Sequence, residues 1–125
     1  MHSHNPYAQQ QAILLNPASC ANTAAATGAW VDASQFTGDV VITQHIGAVT
    51  GSIVGKIQHA DDGSGTNAED VTGGGFASVS SANNLQKIVL RRQGLKPFIR
   101  YLGTITTGPA LVEANLTGIK SGYST

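Results

Sequence analysis

Alternation of apolar and polar positions, with a period of two, runs through most of the chain. In residues 39–46, Val40, Ile42, Gln44 and Ile46 fall on one side of an extended strand, with Val41, Thr43 and His45 on the other. Residues 52–60 repeat the pattern, setting Ile53, Gly55, Ile57 and His59 against Val54, Lys56 and Gln58. Between them lies the small-residue turn Gly47-Ala48-Val49-Thr50-Gly51, and after them the polar Asp61-Asp62-Gly63-Ser64-Gly65. Branched side chains suit a pleated surface and Gly and Asp tolerate turn dihedrals, so the spacing predicts a hairpin over residues 39–60. One face of each strand is mostly apolar and the other mixed, as in a sheet with one packed and one wet side.

The rest of the chain reads in the same way. A short apolar run at residues 12–15 ends at the turn signal Asn16-Pro17. Residues 18–28 are rich in Ala and Thr, but Ala24-Ala25-Ala26 is too short a run to be helical unaided, so an extended segment is expected. Residues 61–75 carry loop chemistry throughout, and strands are expected at residues 76–79 and 85–92. A second hairpin is expected around Thr107-Gly108-Pro109, joining residues 98–106, with Ile99, Tyr101 and Ile105 on one face, to residues 110–117. Short strands at a spacing of about 8–12 residues with no convincing helix describe a β-sandwich or barrel. The expected fold is therefore all-β: a single-domain antiparallel β-sandwich, jelly-roll-like, over residues 12–125. Residues 1–11 are polar, contain Pro6 and Gln9-Gln10-Gln11, and cannot bury enough apolar surface to order themselves. They are expected to form an extended N-terminal arm, either frayed or ordered against a neighbouring subunit with Tyr7 as its anchor.

Composition narrows the function classes. The 125 residues include seven Lys and Arg against seven Asp and Glu, a net charge of zero, and only 11% are charged. A nucleic-acid binder needs a concentrated basic excess to meet phosphates, so nucleic acid is not an expected partner. Near-zero charge also removes the self-repulsion that would keep copies apart. The single cysteine, Cys20, has no disulfide partner within the chain and reads as a small apolar residue half-buried near the first strand, which fits folding in a reducing compartment. The N-terminal residues lack the pattern of a signal peptide, and no apolar run reaches about 18 residues, so the expectation is synthesis in the cytosol and no membrane partner.

Candidate chemistry is sparse. His2 and His4 sit in the arm, and His45 and His59 lie on different strands. No nucleophile elbow, phosphate-binding glycine loop or H-E-x-x-H helix occurs. Gly73-Gly74-Gly75 precedes an expected strand and lacks the helix dipole that holds a phosphate. No catalytic residue, cofactor or metal ligand is assigned, and the chain is not expected to be an enzyme. The acids Asp61, Asp62, Glu69 and Asp70 raise a calcium reading, but their spacing does not match a calcium loop, and turn formation is the expectation. Trp30, the sole tryptophan, is expected to pack in the core or between sheets, with a ligand-stacking platform as the sharper alternative. Arg91 and Arg92 suit a solvated edge or an intersubunit ion pair. Together with Tyr7 they are the candidate subunit or capsid contacts.

From Val40 onward the order of features resembles a family of small virion proteins encoded beside the major capsid protein of tailed bacteriophages. The resembling residues are VVITQHIGAVTGSIVGKIQHADDGSG, Asp70-Val71 with Phe76 and Val79, the strand Lys87-Ile88-Val89-Leu90, and PFIRYLGTITTGPALVEANLTG, including Ile99-Arg100-Tyr101-Leu102. The resemblance covers about two-thirds of the chain, and residues 1–11 match none of it. It implies a capsid decoration, or cement, protein: a β-sandwich, commonly trimeric, that sits on the outer shell and braces neighbouring capsid subunits. The implied partners are the major capsid protein and further copies of the chain, in the virion. Two other readings are another virion part, such as a head–tail connector, tail or fibre-base protein, and a carbohydrate-binding module. The last would require Trp30, Tyr101 and Tyr123 to form an aromatic platform.

Overall fold

The computed structural model describes residues 9–120. Eight strands form two four-stranded antiparallel sheets: β1 (Gln9–Cys20), β2 (Val31–Asp32), β3 (Phe36–Val49), β4 (Ser52–Ala60), β5 (Glu69–Gly75), β6 (Asn84–Arg91), β7 (Phe98–Thr106) and β8 (Ala110–Lys120). One sheet has the order β1-β8-β3-β6 and the other β2-β7-β4-β5. Strands pair first with last, β1 with β8, β2 with β7, β3 with β6 and β4 with β5. This is a chain folded in half at the β4–β5 connection and wrapped into two layers, the jelly-roll order. The expected all-β sandwich is what the chain forms.

The expected faces hold, whereas the expected hairpins do not. Val40, Ile42, Gln44 and Ile46 of β3 all point inward, as do Ile53 and Ile57 of β4 and Ile99 and Tyr101 of β7. Yet β3 pairs with β6 and β8, and β4 with β5 and β7. The turn at Thr50 and Gly51 is thus an arch between the layers, and the turn at residues 107–109 is a second one. Periodicity cannot separate the two cases, because two apolar faces can meet across the sandwich as readily as share one sheet. The arches brace each other: Thr50 N–H donates to Pro109 O (3.0 Å) and Gly51 N–H to Thr107 O (2.9 Å). A Cβ at Gly51 would collide with Thr106 O, so only glycine lets the two turns approach this closely.

Several boundaries also move. β1 begins at Gln9, inside the expected arm, and continues through Asn16 and Pro17 to Cys20 with register shifts on either side of Leu15. It is an edge strand, where a proline costs no ladder bond and a bulge absorbs the misfit. Residues 21–27, expected to be extended, contain a tight turn in which Ala26 N–H donates to Thr23 O (3.1 Å). Residues 69–75, expected as loop, form β5, while residues 76–79, expected as strand, make only the isolated bridge of Val79 to Ile53. There Phe76 and Val79 are buried within the core cluster, and Val79 exchanges backbone bonds with Ile53 (2.9 Å each).

A polar pair lies within the core. Tyr101 hydroxyl donates to Gln44 Oε1 across the layers (2.6 Å), with both side chains fully buried. A Cβ at Gly55 would collide with Gln44 Oε1, so that glycine opens the space the pair occupies. Burial pushes the Tyr101 phenol far above its ordinary value.

Candidate interaction surface

Because side chains alternate, β1, β8, β3 and β6 present a second set of residues to solvent. Register fixes the rows across this outer face: Gln11, Thr117, Val41 and Val89 in one, Ile13, Asn115, Thr43 and Lys87 in the next, then Glu113, His45 and Leu85. Six large hydrophobic side chains are exposed among the described residues, and five of them, Ile13, Leu85, Val89, Leu111 and Ile119, lie on this face, each between 44% and 61% exposed. Scattered apolar residues need no explanation, but their concentration on one layer marks a surface suited to being covered.

Leu85 and Val89 stand on the edge strand β6 and Ile13 on the edge strand β1, Leu111 and Ile119 lie near the two ends of the interior strand β8, and Thr43, His45, Glu113, Asn115 and Thr117 fill the middle. Beside the bulge of β1 a hollow of about 270 Å³ is walled by Pro17 and Ala18 of β1, His45 and Gly47 of β3, and Leu111 and Glu113 of β8. Glu113 also faces His45 Nδ1 at 3.7 Å. The β6 flank carries Lys87 between its two apolar residues and Arg91 beyond them.

The opposite sheet is finished differently. A polar ladder crosses its outer face: Lys56 Nζ and Gln58 Nε2 donate to Asp70 (3.1 and 3.0 Å), Arg100 Nε donates to Gln58 Oε1 (2.9 Å), and the Arg100 guanidinium lies 4.5 Å over the Trp30 ring. The Gln58 amide, with Lys56, holds the Asp70 carboxyl below its usual range. Trp30 is therefore not a core residue, as expected, but a half-buried one outside the second sheet. Its indole nitrogen also abuts Gly65, where a Cβ would come within 3.0 Å. The three-ring platform does not assemble: Tyr101 is in the core, and Tyr123 lies outside the described residues.

The remaining candidates are absorbed by the fold. Asp62 accepts from Ser64 N–H (2.9 Å), Thr66 N–H (3.1 Å) and Thr66 hydroxyl (2.7 Å), which lower its carboxyl and close the loop as a turn. Asp61 and Glu69 instead face Lys96 Nζ (3.8 and 3.6 Å). Among the described residues no three His, Cys, Asp or Glu side chains are grouped to hold a metal ion. His59 is buried beside a groove of about 490 Å³ between β5 and β6. Lys96 N–H donates to its Nδ1 (3.0 Å), which leaves Nε2 to donate to Glu69 Oε1 (3.1 Å), so both ring nitrogens are engaged. The partners of His45 and His59 are their cross-strand neighbours Glu113 and Glu69, visible only once register is known. Of the candidate contacts, Arg91 is exposed on the outer face of the first sheet. Arg92 is turned inward, donating to Ala33 O (2.7 Å) and Leu95 O (2.8 Å), and Tyr7 lies outside the described residues. Cys20 is buried, not half-buried, and burial raises its thiol.

No protein-family model and no curated protein matches the chain. Solved structures do. The SPBc2 prophage-derived protein YomS is similar with a TM-score of 0.55 at 14% identity, covering 88% of this chain and 93% of that one. The VP2 subviral particle of infectious bursal disease virus is similar over 92% of this chain and 33% of VP2, with a TM-score of 0.49 at 11% identity. A family 29 carbohydrate-binding module from Piromyces equi has a TM-score of 0.44 at 10% identity over 94% of this chain and 95% of the module. At these identities the likeness to YomS is one of fold.

Proposed function

We propose that the chain is a non-catalytic structural subunit of a phage virion, a decoration protein that binds the major capsid protein on the outer surface of the shell. The observation that carries the reading is the outer face of the β1-β8-β3-β6 sheet, with its concentration of exposed apolar side chains on a rigid two-layer frame. Such a face supplies what a brace needs, a stiff surface that gains free energy by being covered. The family resemblance, which spans the strands from Val40 onward, supplies the virion and the homotrimer. Several copies joined in one oligomer would engage neighbouring shell sites at high effective concentration, so modest single contacts suffice.

Copy number in purified particles of the parent phage tests the reading. Hundreds of copies per particle, removable without loss of tail or connector, are expected. A count of about a dozen or fewer would contradict decoration and support the connector or tail alternative.

A further inference from the structure

We infer that the free edge of β6 accepts an extended segment of a partner protein, which adds a further strand to the β1-β8-β3-β6 sheet and presents acidic and apolar residues in turn on its outer side. This goes beyond the shell reading, because it assigns a backbone edge and the chemistry of what pairs with it.

The four sheet edges are not alike. β2 has two residues, β1 carries Pro17 and register shifts around Leu15, and β5 has three consecutive glycines and a register shift against β4. Short length, proline and bulges keep an edge from pairing. β6 has none of these: it runs against β3 over eight consecutive pairs, from Asn84 with Ile46 to Arg91 with Asp39, without a shift. In such a ladder every second residue turns its N–H and C=O away from its neighbour. Among the described residues no backbone group meets those of β6 on that side. The chain passing at Ala77 is held by a side chain instead, the Gln86 amide bonding both its N–H and its O (2.8 and 3.1 Å). Beside the edge, the groove of about 490 Å³ between β5 and β6 leaves space for the inner side chains of an added strand, and Ile88, on the inner side of β6, is only half-buried.

Charge selects the occupant. The outer side of β6 reads Leu85, Lys87, Val89, Arg91, two cations and no acid. Among the described residues neither cation makes an ion pair. Arg91 has Asp39 beside it on β3, whereas Lys87 has Thr43. The acids across the groove are already engaged, Glu69 with His59 and Asp70 with Lys56 and Gln58. A second copy paired through its own β6 would gather the cations of both chains into one strip, which like charges oppose. A strand with an acid opposite Lys87 and apolar residues opposite Leu85 and Val89 gains a charge pair and covers two side chains that are 60% and 61% exposed.

Amide hydrogen exchange of the full chain, read residue by residue with a synthetic peptide present, is the test. The probe is the end-blocked peptide ETVTETVT, which in antiparallel register sets its Glu residues opposite Lys87 and Arg91 and its Val residues opposite Leu85 and Val89. At about 1 mM peptide, alternate amides of β6 are expected to exchange at least about twofold more slowly, the effect of half-saturation, with β1 unchanged. Of two peptides N-methylated at every Thr or at every Glu and Val, one is expected to lose this effect and the other to keep it, since only one set of N–H groups faces β6. Lys87 lies on the solvent side of its strand, so Lys87→Glu is expected to fold, with unchanged circular dichroism. It is expected to weaken binding of ETVTETVT by about fivefold or more and to recover it with ETVTKTVT, which sets a Lys opposite residue 87. No slowing, slowing confined to other strands, or equal slowing by both N-methylated peptides would overturn the inference. Protection of β6 that grows with the concentration of the chain alone would also overturn it, assigning the edge to a second copy. No shell enters the experiment, so its outcome is independent of the copy count in particles.

Discussion

Tyr101 and Gln44 show how one buried hydrogen bond fixes the spacing of two sheets. Among the described residues, Tyr101→Phe removes the only donor to Gln44 Oε1 and leaves the amide wholly unpartnered, since Gln44 Nε2 already has no partner there. A loss of about 1–3 kcal/mol in chemical denaturation is expected. Adding Gln44→Leu, which removes the stranded amide, is expected to recover part of that loss. The same phenol sets an alkaline limit. A group whose folded value lies above its unfolded one stabilises the fold below the unfolded value, about 10 for tyrosine, and loses that contribution as pH rises beyond it. Wild-type stability is therefore expected to fall more steeply above about pH 10 than that of Tyr101→Phe, measured by denaturation across that range. The inward position of Gln44 and Tyr101 was legible in the alternation of their strands, but their pairing was not, because 57 residues separate them. Trp30 was misread for a related reason: its partners, Arg100 and Gly65, are brought to it by strand and loop placement that no local pattern encodes.

The strands themselves were readable where alternation is strong, and the connections were not. β3, β4, β6, β7 and β8 stand close to where the pattern puts them, with the expected residues inward for β3, β4 and β7. What failed was the topology of the turns at residues 50–51 and 107–109, because a short turn serves an arch as well as a hairpin. β5 was missed because Gly73, Gly74 and Gly75 deprive it of branched side chains and its pairing with β4 is broken by a register shift. Two glycine substitutions separate structural necessity from composition. Gly51→Ala places a methyl against the carbonyls of the facing arch, and a loss of about 1–3 kcal/mol is expected from its thermal or chemical unfolding. Gly75→Ala meets nothing within 4 Å at an ordinary backbone angle, and is expected to be neutral or to gain up to about 1 kcal/mol.

The molecule as a whole has two unlike outer faces on one frame. Around the β2-β7-β4-β5 sheet, Trp30, Arg100, Gln58, Asp70 and Lys56 satisfy one another. Around the β1-β8-β3-β6 sheet, large apolar side chains stand open, and covering them would gain free energy. The sequence made association permissible through its neutral charge, but it did not locate the surface, because Ile13, Leu85, Val89, Leu111 and Ile119 come together only through the pairing of β1, β8, β3 and β6. Its candidate contacts divided accordingly: Arg91 reaches that face, and Arg92 is spent holding the loop that carries Leu95. Co-sedimentation of the purified chain with mature shells of the parent phage stripped of it tests the decoration role most directly. Saturable binding at hundreds of copies per shell is expected, and a chain left in the supernatant at every concentration would contradict it.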